Sequence, residues 1–312
     1  MPASSLRRLL RTPRALRVVA IALPLVVPAV LAAQTSSARP TAALPTAART
    51  TAADDSIAAR LRRVASPIEL TRVRLWVEPG ALTDEQARRF AARFAVGVEA
   101  IERTLGRTLD RARYGSERIE VFVAEDLGAS HVYAGYAHMR HDRAWLYLDA
   151  ARVRAGSAPY LHEATHLVAW RFGSHSLREG LASWVESTVS AGGDGEHSQL
   201  FGVRDVASAD ALAHRALATP AGELALPTIG APGPADATIT AGRPELRAAY
   251  YVLSQSFVGH LVERLGLPVT LQLMEADAPD AYARLTGQPL ERWRASWLAA
   301  LGAGPAARTA AR

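Results

Sequence analysis

Polar and apolar positions alternate along residues 72–77 (RVRLWV), the period of a strand with one buried face, and Pro79 and Gly80 end the run. From Thr83 the period changes. Phe90, Phe94, Val98, Ile101 and Leu105 recur every three or four residues, so they line one face of a long helix that runs to Gly106. Thr83 followed three residues later by Gln86 predicts a capping box at its start. Two more strands are predicted at 118–124 (RIEVFVA) and 144–149 (AWLYLD), with residues 131–139 (HVYAGYAHM) as a strand at the sheet edge.

Beyond Asp149 the spacing is helical. Helices are expected at 158–172, 177–189, 206–217, 245–265, 268–276 and 290–301, the first stopping at Gly173, where glycine readily takes a left-handed cap. Trp170, Trp184, Trp293 and Trp297 fall at core positions of these helices. Residues 219–244, rich in Pro and Gly, lack periodicity and read as a long loop able to cover a cleft. The fold class is therefore α+β: a small mixed sheet with a packed helix, followed by a mainly helical C-terminal half.

Residues 18–33 are uncharged and apolar after an Arg-rich opening, with small residues at Ala32 and Ala33, so residues 1–33 read as a secretory signal that is cleaved. A retained anchor is the competing reading, but 16 residues interrupted by Pro24 and Pro28 are short of the roughly 20 that a span requires. A flexible linker is expected over 34–65, the catalytic α+β subdomain over 66–190, a helical subdomain over 191–304 and a tail over 305–312. The mature protein is expected to be periplasmic or secreted.

Composition narrows the chemistry. The net charge is +6, and all 36 basic residues are arginine. Seven of them precede Asp54, with no acid among them, which leaves 29 arginines against 30 acids in the rest of the chain. The positive excess belongs to the export segment and tether, so the body offers no footprint for nucleic acid. With no cysteine, disulfides, thiolate metal sites and cysteine nucleophiles are excluded. A metal would have to be held by histidine and carboxylate.

His162-Glu163-Ala164-Thr165-His166 is an H-E-x-x-H sequence inside the first predicted C-terminal helix. Residues i and i+4 lie one above the other, so both histidines can face one zinc ion, with Glu163 placed to take a proton from a zinc-activated water. The third ligand is open to several residues. His175 does not fit the longer H-E-x-x-H-x-x-G-x-x-H spacing, which would require Gly at Ala169 and His at Phe172. Glu179 can fold back through the short FGSHS turn, although Ser176 to Glu179 also spells a capping box, and Glu186 is the fallback two turns later. His131, His138 and His141 share no face that would build a second metal site.

HEATH followed by LREGLASW (177–184), YVLSQSFVGHL (251–261) and LTGQPLERWRASWL (285–298) resembles the gluzincin metallopeptidases, in particular the peptidase MA-like families. Only the H-E-x-x-H and E-G-x-A segments of that match are specific. The resemblance implies a zincin-like fold and a peptide or protein substrate. It implies that His162, His166 and Glu179 bind one zinc and that Glu163 is general base and acid. It also implies an edge strand for substrate pairing and Tyr251 as the oxyanion donor, with Tyr250 and His260 as substitutes. The interval from His166 to Glu179 is shorter than in the larger gluzincins, so their extended subsites are not implied. The alternative reading is an inactive zincin-like binding or scaffold module.

Overall fold

The computed structural model describes residues 47–125, 127, 131–132, 143–190, 205–234, 243–276 and 278–302. The predicted export segment at 1–33, the predicted tail, His138, His141 and most of the predicted edge strand lie outside the described residues, as do residues 235–242 of the predicted loop. Among the described residues, no helix is long and apolar enough to cross a membrane.

The protein is α+β, as its sequence predicts. Five strands, β1 (Ile68–Glu69), β2 (Val73–Val77), β3 (Ile119–Ala124), β4 (His131–Val132) and β5 (Trp145–Asp149), form one mixed sheet in the order β1-β2-β3-β5-β4. β2, β3 and β5 are parallel, and the two-residue strands β1 and β4 pair antiparallel at the edges. The register aligns Leu75, Val121 and Leu146 in one row and Trp76, Phe122 and Tyr147 in the next. Because side chains alternate faces, the first row enters the main core and the second faces the opposite side.

Twelve helices complete the described chain: α1 (Ala47–Val64), α2 (Asp84–Leu105), α3 (Arg111–Tyr114), α4 (Ala150–Arg154), α5 (Tyr160–Val168), α6 (His175–Ser190), α7 (Val206–Leu217), α8 (Pro220–Ala225), α9 (Pro244–Leu265), α10 (Leu267–Glu275), α11 (Ala281–Thr286) and α12 (Leu290–Gly302). α2 has the predicted ends. The Thr83 hydroxyl accepts the Gln86 N–H at 3.2 Å, the Gln86 side chain accepts the Thr83 N–H at 2.9 Å, and Gly106 closes the helix at φ 62°. Phe90 and Phe94 meet the Tyr160 ring edge-on, at 5.3 and 5.2 Å between centroids. The same helix face that fills the core thus also supports the start of α5.

Three expectations are corrected. α5 ends at Val168, short of residue 172, and Gly173 takes no left-handed cap. Trp170 is held by Asp110 at 3.2 Å and by Arg113 above its ring, while Gly173 is tied by backbone bonds to Met274 and Gly233, so the chain leaves the helical path early. The stretch read as an open loop holds α8 and a 3-10 turn at Leu226–Thr228, and Arg294 anchors it through the carbonyls of Ile229 and Pro227. The stretch read as a linker contains α1, whose Ala58 and Leu61 are fully buried against Phe122, Trp145 and Tyr147. α1 is thus a third layer that covers the second face of the sheet, where Arg60 pairs with Glu78 and Arg62 with Glu120.

Leu61 is therefore a core residue. Leu61→Ala is expected to lower stability in urea unfolding by about 2–5 kcal/mol, the range for emptying a buried leucine site. Val64→Ala, at a position 53% exposed on the same helix, is expected to change it by no more than about 0.5 kcal/mol.

Candidate metal centre

α5 carries His162, Glu163 and His166, and one helical turn brings the two histidine Nε2 atoms to 3.1 Å. Glu179, in the second turn of α6, places Oε2 3.2 Å from His162 Nε2 and 3.3 Å from His166 Nε2. All three side chains are buried, and their candidate ligand atoms lie within 4.8 Å of one another. Four tetrahedral ligands with bonds of about 2.0–2.1 Å stand about 3.3 Å apart. The observed spacings match that edge, so two imidazoles and one carboxylate fit a single small divalent ion. Among the described residues this is the metal-capable group.

The local structure frees Glu179 for this position. α6 already begins at His175, and the Ser174 hydroxyl accepts the Leu177 N–H at 3.4 Å. Ser176 instead accepts the Gly230 N–H at 2.7 Å. The capping box that would have claimed Glu179 is not formed. Glu186 is buried two turns further on and stands outside the group of three; burial, with Glu163 adding to it, pushes its carboxyl up to about 8. His175 is not in the group either, because its Nε2 faces the other Glu179 oxygen, Oε1, at 3.3 Å.

Electrostatics sort the protons. Burial, with Arg178 nearby, pushes His166 down to about 3, so it is a neutral imidazole. Burial opposes ionisation of Glu179, yet His166, His162 and Arg178 together hold its carboxyl well below the usual range. Burial also acts against charge on His162, but the Glu179 hydrogen bond and the carboxylates of Glu163, Glu179 and Glu186 outweigh it and raise its pKa. Positive charge is thus favoured where His162 faces the carboxylates. Ser183, one turn beyond Glu179, meets His162 Nδ1 at 3.4 Å, which leaves Nε2 turned toward the group. Glu163 is only partly buried, at the open side of α5.

Of the three candidate oxyanion donors, Tyr251 lies beside the triad, its ring 6.1 Å from that of His162. Burial and the charges of Glu179 and Glu163 raise its pKa well above the ordinary tyrosine value, so its hydroxyl keeps its proton. Tyr250 turns instead to His175, with its hydroxyl 2.7 Å from Nδ1. His260 is engaged by Ser296 of α12 at 2.6 Å. A cavity of about 1110 Å³, lined in part by Arg103, Arg107 and Trp170, includes none of these residues.

Periodicity did not reveal the role of Gly180. A Cβ there would stand 2.3 Å from the Ser254 carbonyl oxygen and 2.6 Å from its carbon. Only glycine lets α9 approach α6 this closely, and the approach brings both tyrosines to the site. The signal available in the sequence was a glycine inside an otherwise helical pattern, directly after the candidate ligand. Gly180→Ala is expected to force the helices apart, lowering stability by about 1–3 kcal/mol in urea unfolding and reducing divalent metal retained after gel filtration, read by elemental analysis. Compared with known proteins, the chain matches no family model and no curated sequence.

Proposed function

We propose that the chain is an exported, zinc-dependent metallopeptidase of gluzincin type, a peptidase MA-like enzyme that cuts peptide bonds with water. The observation that carries this reading is the convergence of His162, His166 and Glu179 on one buried point, beside a partly exposed Glu163 on the same helix. His162, His166 and Glu179 would hold the zinc, whose Lewis acidity lowers the pKa of water to about 7.

Glu163 then has the acid–base role. Its carboxylate takes a proton from the attacking water and returns it to the leaving nitrogen as the carbon–nitrogen bond breaks. Tyr251, which keeps its proton, donates a hydrogen bond to the oxygen that becomes negative as the carbonyl carbon turns tetrahedral. A peptide substrate is supported by the position of β4, which is one of the two edge strands of the sheet and lies beside α5. An extended chain can add to such an edge through backbone hydrogen bonds.

Glu163→Gln is expected to retain one zinc per chain by elemental analysis and to lose about 10²–10⁴ in kcat on a fluorogenic peptide library. Tyr251→Phe is expected to lower kcat by about 10²–10³ with KM little changed. Equal hydrolysis by wild type and Glu163→Gln would remove the mechanism, and a wild-type chain that holds no zinc would remove the site. A chain that binds zinc without cutting any peptide would favour the binding-module reading.

A further inference from the structure

The two oxygens of Glu179 have different neighbours. Oε2 faces His162 and His166, whereas Oε1 faces His175 Nε2 at 3.3 Å and an Arg178 guanidinium nitrogen at 3.4 Å. Behind them the Tyr250 hydroxyl stands 2.7 Å from His175 Nδ1, and the two rings are stacked at 5.7 Å with 24° between their planes. Tyr250, His175 and Arg178 are all buried, at 1%, 4% and 7% exposure, so none of them is free to swing into solvent.

We propose that Tyr250, His175 and Arg178 act as positioning residues that tie down Oε1 of Glu179, so that the glutamate offers a metal one oxygen rather than two. The inference rests on the reading of His162, His166 and Glu179 as metal ligands. Its logic is that of proton placement. A carboxylate oxygen only accepts, so the imidazole nitrogen that faces it carries the proton, and the other nitrogen of a neutral ring must accept. The Tyr250 O–H supplies that donor. The contacts thus run from the tyrosine hydroxyl through the histidine ring to within ion-pair distance of the carboxylate, and restrain both the ring and the carboxylate's rotation.

The consequence for chemistry is coordination number. Three single-atom ligands leave an open position for water and substrate, whereas a glutamate that closes on the metal with both oxygens fills it. The geometry also explains why the tyrosine pair is split: Tyr251 faces the triad and Tyr250 serves the far side of the same carboxylate. His175 and Glu179 are one turn apart on α6, while Tyr250 arrives on α9 across the close contact at Gly180.

The test compares wild type, His175→Ala, His175→Gln and Tyr250→Phe as full-length mature chains. Zinc affinity is measured by competition with a chromogenic chelator, and the cobalt(II)-loaded proteins are compared by visible absorption. His175→Ala is expected to weaken zinc binding about 10–100-fold and to shift the cobalt bands toward the weaker absorption of a higher coordination number. Tyr250→Phe is expected to move both readouts in the same direction by less, and to add nothing in the His175→Ala background. His175→Gln, whose amide can still donate to Oε1, is expected to restore the cobalt spectrum in part.

A wild type that binds zinc, with His175→Ala and Tyr250→Phe both within about twofold of it and unchanged cobalt spectra, would overturn the proposal. Should His175→Ala fail to fold by circular dichroism, Tyr250→Phe decides alone, because it deletes a single oxygen. A wild type that binds no zinc would instead overturn the metal reading on which the proposal stands.

Discussion

Burying the carboxylate of Glu179 is the constraint around which the helical half is arranged. A charge taken out of water without partners costs several kcal/mol, and here it is met on all sides: two imidazoles at Oε2, a third imidazole and a guanidinium at Oε1. Each partner comes from a defined place. α5 supplies the first two, the opening turns of α6 supply the others, and α9 closes over them with its tyrosines. α2 contributes indirectly, by holding the first turn of α5 through Tyr160.

This dependence accounts for the small and polar residues that line the crossing of α6 and α9. Gly180 sets the approach, and Ser183, Ser187 and Gln255 link the helices to each other and to His162. A purely apolar contact would have been easier to bury, but it could not have oriented a histidine. The larger apolar cluster, around Phe90, Phe94, Leu146 and Phe257, provides the rigid surroundings.

How much of this was legible in the sequence depended on whether local signals acted alone. The ends of α2 could be read because Thr83, Gln86 and Gly106 act within one turn of themselves. The pairing of His162 with His166 could be read because helical geometry fixes i and i+4. The end of α5 could not, because Gly173 answers to Met274 and Gly233, far along the chain. The capping alternative for Glu179 could be set aside only once the start of α6 was known, since a shift of two residues takes Ser176 out of the cap position. α1 was hidden by its context: Ala-rich and next to a proline-punctuated stretch, it finds a reason to fold only in the uncovered face of the sheet. The arrangement behind Glu179 was illegible because it joins residues 75 positions apart.

The seat of α1 has one more property, which follows from the absence of lysine. Its anchoring cations, Arg60 and Arg62, are guanidinium groups, each set against a carboxylate. Arg60 holds the Glu78 carboxyl below its ordinary value, so the pair contributes above the unfolded carboxylate pKa and fades as pH falls through the lowered folded value. Acid therefore loosens the Arg60–Glu78 contact. The layer covering the back of the sheet thus has an acid-sensitive anchor, set by the pairing of an arginine with a glutamate.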